Sequence, residues 1–260
     1  GIECVAQLMN FGNNHVKPGR YHWDKRLSNI DFLRMIRSGR QQPLELVIFR
    51  AHNIEQLSGI LSHKLEPDSL AFLQYLSDPK VYRDLGFNKE NFITLFIPNT
   101  YEFYWNTSPK QFLKRMKREH KKFWTDKRKQ ALHKQQLTFS EAYILASIVE
   151  KESLLQEERP RIAGVYLNRL ERGMLLQADP TVVFALKEKQ VRRVLKKHLE
   201  VDSPYNTYKY PGLPPGPVAM PSLASLEAVI YPEKHNYLYF CAKPGYDGGH
   251  AFASSLAKHN

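Results

Sequence analysis

The hydrophobic positions in the middle of the chain recur with the spacing of an α-helix. The clearest segment is ILASIVEKES, residues 144–153, whose apolar positions fall on one side of a helix that advances about 100° per residue. These positions are Ile144, Leu145, Ile148 and Val149. The preceding TFSE, residues 138–141, has the Thr-x-x-Glu pattern of a capping box. Together they predict a helix that begins after Thr138 and runs to Leu155.

The first 50 residues predict a small strand–helix–strand unit. KPGRYHW, residues 17–23, is typical of a turn that leads into a short strand. Residues 29–38 predict a helix that begins after Ser28 and ends at Gly39. PLELVIF, residues 43–49, has the alternation of a second strand. A unit of this size is typical of a compact binding or spacer domain.

The remaining patterns complete the prediction of an α+β fold. Helical spacing recurs over residues 53–82 and again over residues 160–172. Residues 96–105, FIPNTYEFYW, combine aromatic rings with Pro and Asn and predict a loop. Residues 205–221 contain five prolines and two glycines and predict a second loop. A short strand is expected at residues 237–242, before a glycine-rich turn.

Positive charge is concentrated in one part of the chain. Lys and Arg total 38 against 26 Asp and Glu, a formal net charge of +12, so the surface should attract polyanions. Residues 110–134, KQFLKRMKREHKKFWTDKRKQALHK, predict an amphipathic helix with a solvated basic face. A polyanion-binding or membrane-surface patch is the alternative interpretation. The segment lacks zinc-finger spacing and an RNA-recognition signature, so we expect no nucleic-acid partner, and nucleic-acid binding stays as a rival hypothesis.

The cysteines and the apolar runs set further bounds. Cys4 and Cys241 are the only cysteines, so the fold has no disulfide framework, and a single bridge between them stays an open question. No apolar run reaches the roughly 18 residues that a membrane-spanning helix needs. The chain begins at Gly1 rather than at Met, which suggests a trimmed or processed fragment, and whether an upstream signal or anchor has been removed stays an open question.

One acidic residue lies on the apolar side of the helix at residues 144–153. Glu152 comes four residues after Ile148 and continues the apolar stripe, whereas Glu150 is expected to point toward water. A carboxyl against apolar surface has a raised pKa, which suits a general acid near neutral pH. The alternative is a structural role, in which Glu152 pairs with Arg159 or Arg161, or a rotation of the helix that exposes Glu152 to water.

Two downstream loops carry side chains that suit a sugar-binding cleft. QADPT, residues 177–181, offers an amide, a carboxylate and a hydroxyl, and YNTY, residues 205–208, alternates rings with hydrogen-bonding groups. Each loop alone is also compatible with ordinary turn chemistry. The sequence has no glycine-rich phosphate loop, no Ser/His/Asp signature and no metal-ligand spacing.

Several long motifs resemble one known family. ASIVEKES, ERPRIAGVYLNRLERGMLLQADPTVVFAL, YNTYKYPGLPPGPVAMP and GGHAFASSLAKHN look like the MltG (YceG-like) family of endolytic peptidoglycan transglycosylases, and the resemblance runs from residue 17 to residue 260. It implies a small LysM-like N-terminal domain, residues 1–50, and a larger mixed α/β catalytic domain, residues 51–260. It also implies an N-terminal membrane anchor outside this chain, with the catalytic domain periplasmic or extracytoplasmic at the inner membrane.

The resemblance also implies a reaction and its residues. The catalytic glutamate matches Glu152, which would cleave the bond between N-acetylmuramic acid and N-acetylglucosamine without water, metal or cofactor, as acid and then as base. We expect five residues to be substrate contacts or supports of that glutamate: Gln177, Asp179, Tyr205, Asn206 and Tyr208. The implied partners are peptidoglycan strands and the wall-synthesis machinery, through which cleavage would control glycan length.

Two departures and two rival hypotheses accompany the resemblance. Met220 stands where the family usually has a small or polar residue, and an insertion around Tyr246 alters a turn. A glycan hydrolase, with Asp179 activating water opposite Glu152, is the nearest rival. The other is a non-catalytic wall-binding module in which Glu152 is structural.

Overall fold

The computed structural model describes residues 1–12, 16–24, 26–49, 51–186, 194–244 and 248–259. The α-helices within them are α1 (Ile2–Leu8), α2 (Asn29–Ser38), α3 (Ile54–Ser62), α4 (Ser69–Leu76), α5 (Pro79–Arg83), α6 (Pro109–Phe123), α7 (Asp126–Lys134), α8 (Phe139–Glu152), α9 (Arg159–Glu171), α10 (Asp179–Leu186), α11 (Leu223–Ile230) and α12 (Leu256–His259). The strands are β1 (Leu44–Ile48), β2 (Asn99–Phe103), β3 (Tyr239–Ala242) and β4 (His250–Ala253). This mixture of helices and small sheets confirms the α+β class.

The N-terminal segment follows its predicted pattern in part. Ser28 accepts a hydrogen bond from Asp31 N at the start of α2, and Gly39 ends the helix in the left-handed region at φ 71°. Residues 17–23 have irregular backbone, so the predicted first strand is wrong. The boundary at residue 50, the LysM-like character of the segment before it and the catalytic domain after it stay predictions.

Strand β1 pairs antiparallel with β2, from Leu44 opposite Phe103 to Ile48 opposite Asn99. The predicted loop at residues 96–105 is therefore wrong, because its centre is a strand. The alternate residues of β1 that face inward are fully or almost fully buried, so the sheet covers the core with one face. A segment before residue 50 thus shares a sheet with one well beyond it.

Phe112 on α6 lies at the centre of a cluster of aromatic rings. Its ring stacks on Phe96 with centroids 5.8 Å apart, meets Phe72 edge-on at 5.9 Å and lies 5.4 Å from Phe103. The cluster joins α4, α6 and β2, so it fixes the long basic helix against the sheet.

The basic segment forms two helices, which corrects the prediction of one. Trp124 is buried and stacks on Phe139 at 5.0 Å, and the next residue, Thr125, caps α7 by accepting a hydrogen bond from Arg128 N. Most Lys and Arg side chains of α6 and α7 are exposed, as the prediction of a solvated basic face required.

Helix α8 crosses the core and ends at Glu152. Thr138 and Glu141 form the predicted capping box, and the backbone becomes extended at Ser153, so the helix is three residues shorter than expected. Ser147 Oγ donates to Ile144 O and accepts from Val218 N at 3.0 Å, which ties the proline-rich loop to the middle of the helix. This contact fixes the middle of α8, five residues before Glu152, against the loop.

Helix α9 contacts the segment that leads into the second of the two described sheets. Strands β3 and β4 form an antiparallel hairpin in which Phe240 lies opposite Phe252. Asn168 Nδ2 donates to His235 O at 2.9 Å and to Tyr237 O at 3.0 Å, so α9 fixes the segment that leads into the hairpin. The insertion around Tyr246, which follows β3 in the sequence, lies outside the described residues.

Two remaining expectations concern the membrane and the thiols. None of the helices within the described residues has the length and hydropathy required to cross a bilayer. Cys4 and Cys241 are both exposed free thiols.

Phe112→Ala should be strongly destabilising, because it leaves a cavity among three aromatic rings. We expect the free energy of unfolding to fall by about 3–5 kcal/mol in chemical denaturation. Lys114→Ala, an exposed change on the same helix, is the matched control and should stay within about 0.5 kcal/mol of the wild type. Equal effects of the two substitutions would mean that the aromatic cluster does not anchor α6.

Candidate active site

Glu152 lies at the C-terminal end of α8 and faces α9. The hydroxyl of Tyr166, a buried residue of α9, donates a hydrogen bond of 2.6 Å to Glu152 Oε1. Burial raises the pKa of Glu152, the hydrogen bond from Tyr166 lowers it, and the charge of Asp179 raises it, with a result of about 7. The carboxyl therefore exists in both protonation states near neutral pH.

Glu150 differs from its prediction. It does not point into water, because the beginning of α11 covers that side of α8. Its Oε2 accepts hydrogen bonds from Ser222 Oγ at 2.6 Å and Ser225 Oγ at 2.8 Å, and Arg159 Nη1 lies 3.1 Å away. Burial acts to raise the pKa of Glu150, but the hydrogen bonds from the two serines and the charge of Arg159 outweigh it and lower the pKa.

The two arginines that could have formed an ion pair with Glu152 are bonded to other glutamates. Arg159 pairs with Glu150, and Arg161 pairs with Glu233 at 2.9 Å. Neither arginine pairs with Glu152, so the ion pairs expected in the structural alternative are not formed. The partner of Glu152 is a neutral hydroxyl, which leaves the carboxyl free to hold a proton.

Glu152 opens into a cavity of about 490 Å³ between α9, the loop before α10 and the β3–β4 hairpin. Three of the predicted contact residues line this cleft together with Glu152: Gln177, Asp179 and Tyr208. Tyr208 Oη donates a hydrogen bond of 2.6 Å to Asp179 Oδ1. The cleft thus brings together two carboxyl groups, each bonded by a tyrosine hydroxyl.

Arg169 shapes the loop that carries the second carboxyl group. This buried guanidinium donates to Leu175 O at 3.1 Å, to Leu176 O at 2.9 Å and to Leu238 O at 2.7 Å. Gln177 follows with φ 52°, in the left-handed region, and its N–H donates to Thr207 O at 3.0 Å. The cation therefore fixes one wall of the cleft through backbone carbonyls and links it to the hairpin.

The structure places Tyr205 and Asn206 outside this cleft. Asn206 is fully buried and donates to Leu199 O and Val201 O, both at 2.8 Å. Tyr205 packs on Phe184 at 4.7 Å and lines a separate cavity. The YNTY stretch thus contributes Tyr208 to the cleft, while its other residues brace the loop behind it.

Sequence reasoning missed several residues of the cleft. Tyr166 and Arg169 lie on α9, and neither was among the predicted site residues. Phe240 and His250 come from the hairpin, and His250 belongs to a motif that was matched without a role. Spacing along the chain gives little sign of these four, because the cleft is formed by segments far apart in sequence.

Metal binding finds no support among the described residues. No group of three or more His, Cys, Asp or Glu side chains in those parts of the chain is arranged to hold an ion.

Comparison with known proteins gives three kinds of match. The sequence model of the YceG-like family matches residues 2–260. An endolytic murein transglycosylase of Bacillus subtilis is 44% identical over 132 residues, which are 51% of this chain and 36% of that protein. An endolytic murein transglycosylase of Streptococcus pneumoniae is 43% identical over 110 residues, 41% of this chain and 20% of that protein. The matches thus span only about a third and a fifth of these relatives.

The fold also matches a solved structure. A crystal structure of a putative YceG-like protein from Listeria monocytogenes superposes with a TM-score of 0.67 at 29% sequence identity. The match covers 99% of this chain and 88% of that one.

Substitutions at Tyr166 and Asp179 should move the pKa of Glu152 in opposite directions. Tyr166→Phe removes a hydrogen bond that favours the carboxylate, so the pKa should rise above about 7. Asp179→Asn removes a negative charge that disfavours the carboxylate, so the pKa should fall below that value. Carbon-13 NMR titration of the glutamate carboxyl groups measures both, and Glu152→Gln assigns the resonance. Shifts of the same sign would contradict this description of the site.

The raised pKa of Glu152 also predicts a pH-dependent cost in stability. The carboxyl ionises near its ordinary 4.5 in the unfolded chain and near 7 in the folded one, so stability is lost as pH rises between these values. Glu152→Gln should therefore raise the free energy of unfolding by about 1–3 kcal/mol near pH 8 and hardly change it near pH 4.

Glu150→Gln, two residues away on the same helix, is the matched control for this comparison. Because the pKa of Glu150 is lowered, its carboxylate stabilises the fold above its unfolded pKa, and removing the charge should destabilise the protein near pH 8. Chemical denaturation at both pH values measures the two variants. An increase in stability from both would show that helix α8, rather than the ionisation of Glu152, is responsible.

Proposed function

The chain belongs to the YceG-like family, and on this premise we propose that it is a murein transglycosylase that cleaves the glycan strands of peptidoglycan. The observation that supports this most is the carboxyl of Glu152, held in a cleft with a pKa of about 7. A glycosidic oxygen leaves poorly unless it is protonated, and a carboxyl with this pKa still carries its proton near neutral pH. The names of the relatives in Bacillus subtilis and Streptococcus pneumoniae point to the same reaction.

The proposed reaction uses one carboxyl twice. Glu152 gives its proton to the oxygen between N-acetylmuramic acid and N-acetylglucosamine, and the C1–O bond breaks with oxocarbenium character at C1. The carboxylate of Glu152 then removes the proton from the 6-hydroxyl of the muramic acid, whose oxygen forms a new bond to C1. The product is a 1,6-anhydro end, the glutamate regains its proton, and no water is consumed.

The surroundings of Glu152 suit this double role. The hydroxyl of Tyr166 lies 2.6 Å from Oε1 and stabilises the carboxylate that forms after proton transfer. Burial and the charge of Asp179 act in the other direction and favour the protonated acid. Burial is the largest of these influences, and the resulting pKa of about 7 lies close to neutral pH, so neither proton transfer is strongly uphill.

We assign the predicted contact residues by their positions. Gln177, Asp179 and Tyr208 line the cleft and would contact the sugars directly. Tyr205 and Asn206 would act as supports, since one packs against Phe184 and the other is buried behind the cleft.

A glycan hydrolase is the second candidate, and one observation favours it. Asp179 lies in the same cleft as Glu152, so its carboxylate could activate a water molecule on the opposite face of the sugar. The hydrogen bond of 2.6 Å from Tyr208 Oη holds the carboxyl of Asp179 in place within the cleft. The two candidates differ in whether water enters the product.

The wider setting of the reaction follows the family resemblance. We propose that the segment before residue 50 is a LysM-like domain, and that an anchor outside this chain holds the protein at the inner membrane with the cleft facing the periplasm. There, cleavage of nascent strands beside the wall-synthesis machinery would control glycan length.

Mass spectrometry of purified peptidoglycan incubated with the protein tests the proposal. The wild type should release fragments with anhydro-muramyl ends, whereas Glu152→Gln, which cannot donate or accept the proton, should lower the rate by at least about a hundredfold. Lys151→Ala, an exposed change between the two glutamates, controls for damage to α8 and should retain both the product type and the rate.

Two other outcomes are decisive. Reducing ends, heavier by one water, would identify a hydrolase and make Asp179 the candidate base. Equal release of anhydro ends by the wild type and by Glu152→Gln would show that this carboxyl is not the acid.

A further inference from the structure

A third carboxyl group, that of Glu158, lies behind the cleft wall and holds a histidine in that wall. Glu158 Oε1 accepts a hydrogen bond of 2.9 Å from His250 N, and Glu158 Oε2 lies 2.7 Å from His250 Nδ1. The side chains are 11% and 12% exposed, so the pair is largely removed from water. One carboxylate thus binds both the backbone and the ring of a single residue, 92 positions away in sequence.

The protonation of this pair follows from the carboxylate. Burial acts to raise the pKa of Glu158, but the hydrogen bonds from His250 outweigh it and lower the pKa, so Glu158 is ionised at neutral pH. An ionised carboxylate only accepts hydrogen bonds, and His250 Nδ1 must therefore carry the proton. Nε2 is then the ring nitrogen left for a hydrogen bond to another group.

His250 faces the same cleft as Glu152. The rings of Tyr166 and Phe240 meet edge-on at 5.8 Å, and those of Phe240 and His250 at 5.4 Å, so His250 lies one ring beyond the tyrosine that bonds Glu152. Nε2 makes no hydrogen bond with any residue that the structure describes. It is the ring nitrogen available to a ligand in the cleft.

A purely structural role explains this arrangement poorly. The hairpin is already paired strand to strand, and Arg169 Nε donates to Leu238 O at 2.7 Å beside it. A largely buried carboxylate that binds one ring nitrogen and fixes the direction of the ring is an arrangement that proteins use to orient a histidine toward a ligand.

We propose that His250 is a substrate-positioning residue, whose Nε2 forms a hydrogen bond with a hydroxyl of the glycan at a sugar beyond the bond that Glu152 cleaves, with Glu158 holding the ring in place. This inference rests on the proposed function, since it names a contact of the same cleft with the same substrate. His250 is distinct from the reacting groups, because the ring of Phe240 separates it from Tyr166 and Glu152.

Replacing His250 with Asn or with Gln distinguishes the roles of its two ring nitrogens. In His250→Asn the amide lies near the position of Nδ1, so the bond to Glu158 is kept and the group facing the cleft is lost. In His250→Gln the amide reaches the position of Nε2, so a bond to the glycan is kept. We expect KM for peptidoglycan to rise about tenfold in His250→Asn, the effect of one lost hydrogen bond, and to stay within about threefold in His250→Gln. The kcat of His250→Asn should fall less than its KM rises.

Glycan binding to variants that lack the acid Glu152 can be measured without cleavage, so this test does not depend on the reaction. Calorimetry with a peptide-free murein tetrasaccharide should show about tenfold weaker binding to Glu152→Gln/His250→Asn than to Glu152→Gln. Ser254→Ala, an exposed change just after β4, is the matched control and should bind like its parent. Chemical denaturation establishes that each variant is folded.

The outcomes distinguish this inference from the proposed function. If His250→Asn keeps the KM and binding of its parent, or if His250→Gln is the more impaired variant, the positioning role is wrong even when anhydro ends are released. If no anhydro ends are released but His250→Asn weakens tetrasaccharide binding, the proposed reaction fails and the glycan contact stands.

Discussion

The position of the acid depends on the ion pair and hydrogen bonds around Glu150. That carboxylate joins three helices, since it belongs to α8, Arg159 begins α9, and Ser222 and Ser225 lie at the start of α11. A buried charge is costly unless it is fully bonded, and here the partners satisfy it from two directions. Because helix α8 ends only two residues later, the same network fixes where Glu152 emerges into the cleft.

Two glutamates separated by one lysine thus have opposite chemistry. The serines and the arginine around Glu150 favour its charged form, while Glu152 meets a single hydroxyl and a buried surface that favour the neutral form. The first residue stabilises the fold, and the second is held at a cost to stability that a site near neutral pH requires. The difference arises from what packs on each side of α8 rather than from the residues themselves.

The sequence predicts the features that local interactions determine. Helix α8 was expected because Thr138 and Glu141 form a capping box within four residues, and the apolar stripe carries through to Glu152. The strand at Asn99–Phe103 was missed because it exists through pairing with β1, more than fifty residues earlier in the chain. Tertiary pairing overrode the local signal of Pro and Asn.

In the candidate site, too, local features were predictable from the sequence and long-range contacts were not. Glu152 was identifiable from periodicity, but the exposure expected for Glu150 was wrong, because the serines that cover it lie more than seventy residues further on. Asn206 resembled a sugar contact in the sequence, yet the carbonyls of Leu199 and Val201 draw its amide inward. A polar residue in a loop does not reveal by spacing alone whether it faces a ligand or the backbone.

The arginines near the carboxyl of Glu152 are bonded to other acceptors. The chain carries a formal net charge of +12, and an arginine bonded directly to Glu152 would favour the carboxylate and remove its proton at neutral pH. Arg159 and Arg161 are instead bonded to Glu150 and Glu233, and Arg169 is satisfied by backbone carbonyls. Each of these cations therefore has its own acceptors. Glu152 can therefore hold a proton at neutral pH in a basic protein, because these arginines are bonded to other acceptors and not to its carboxyl.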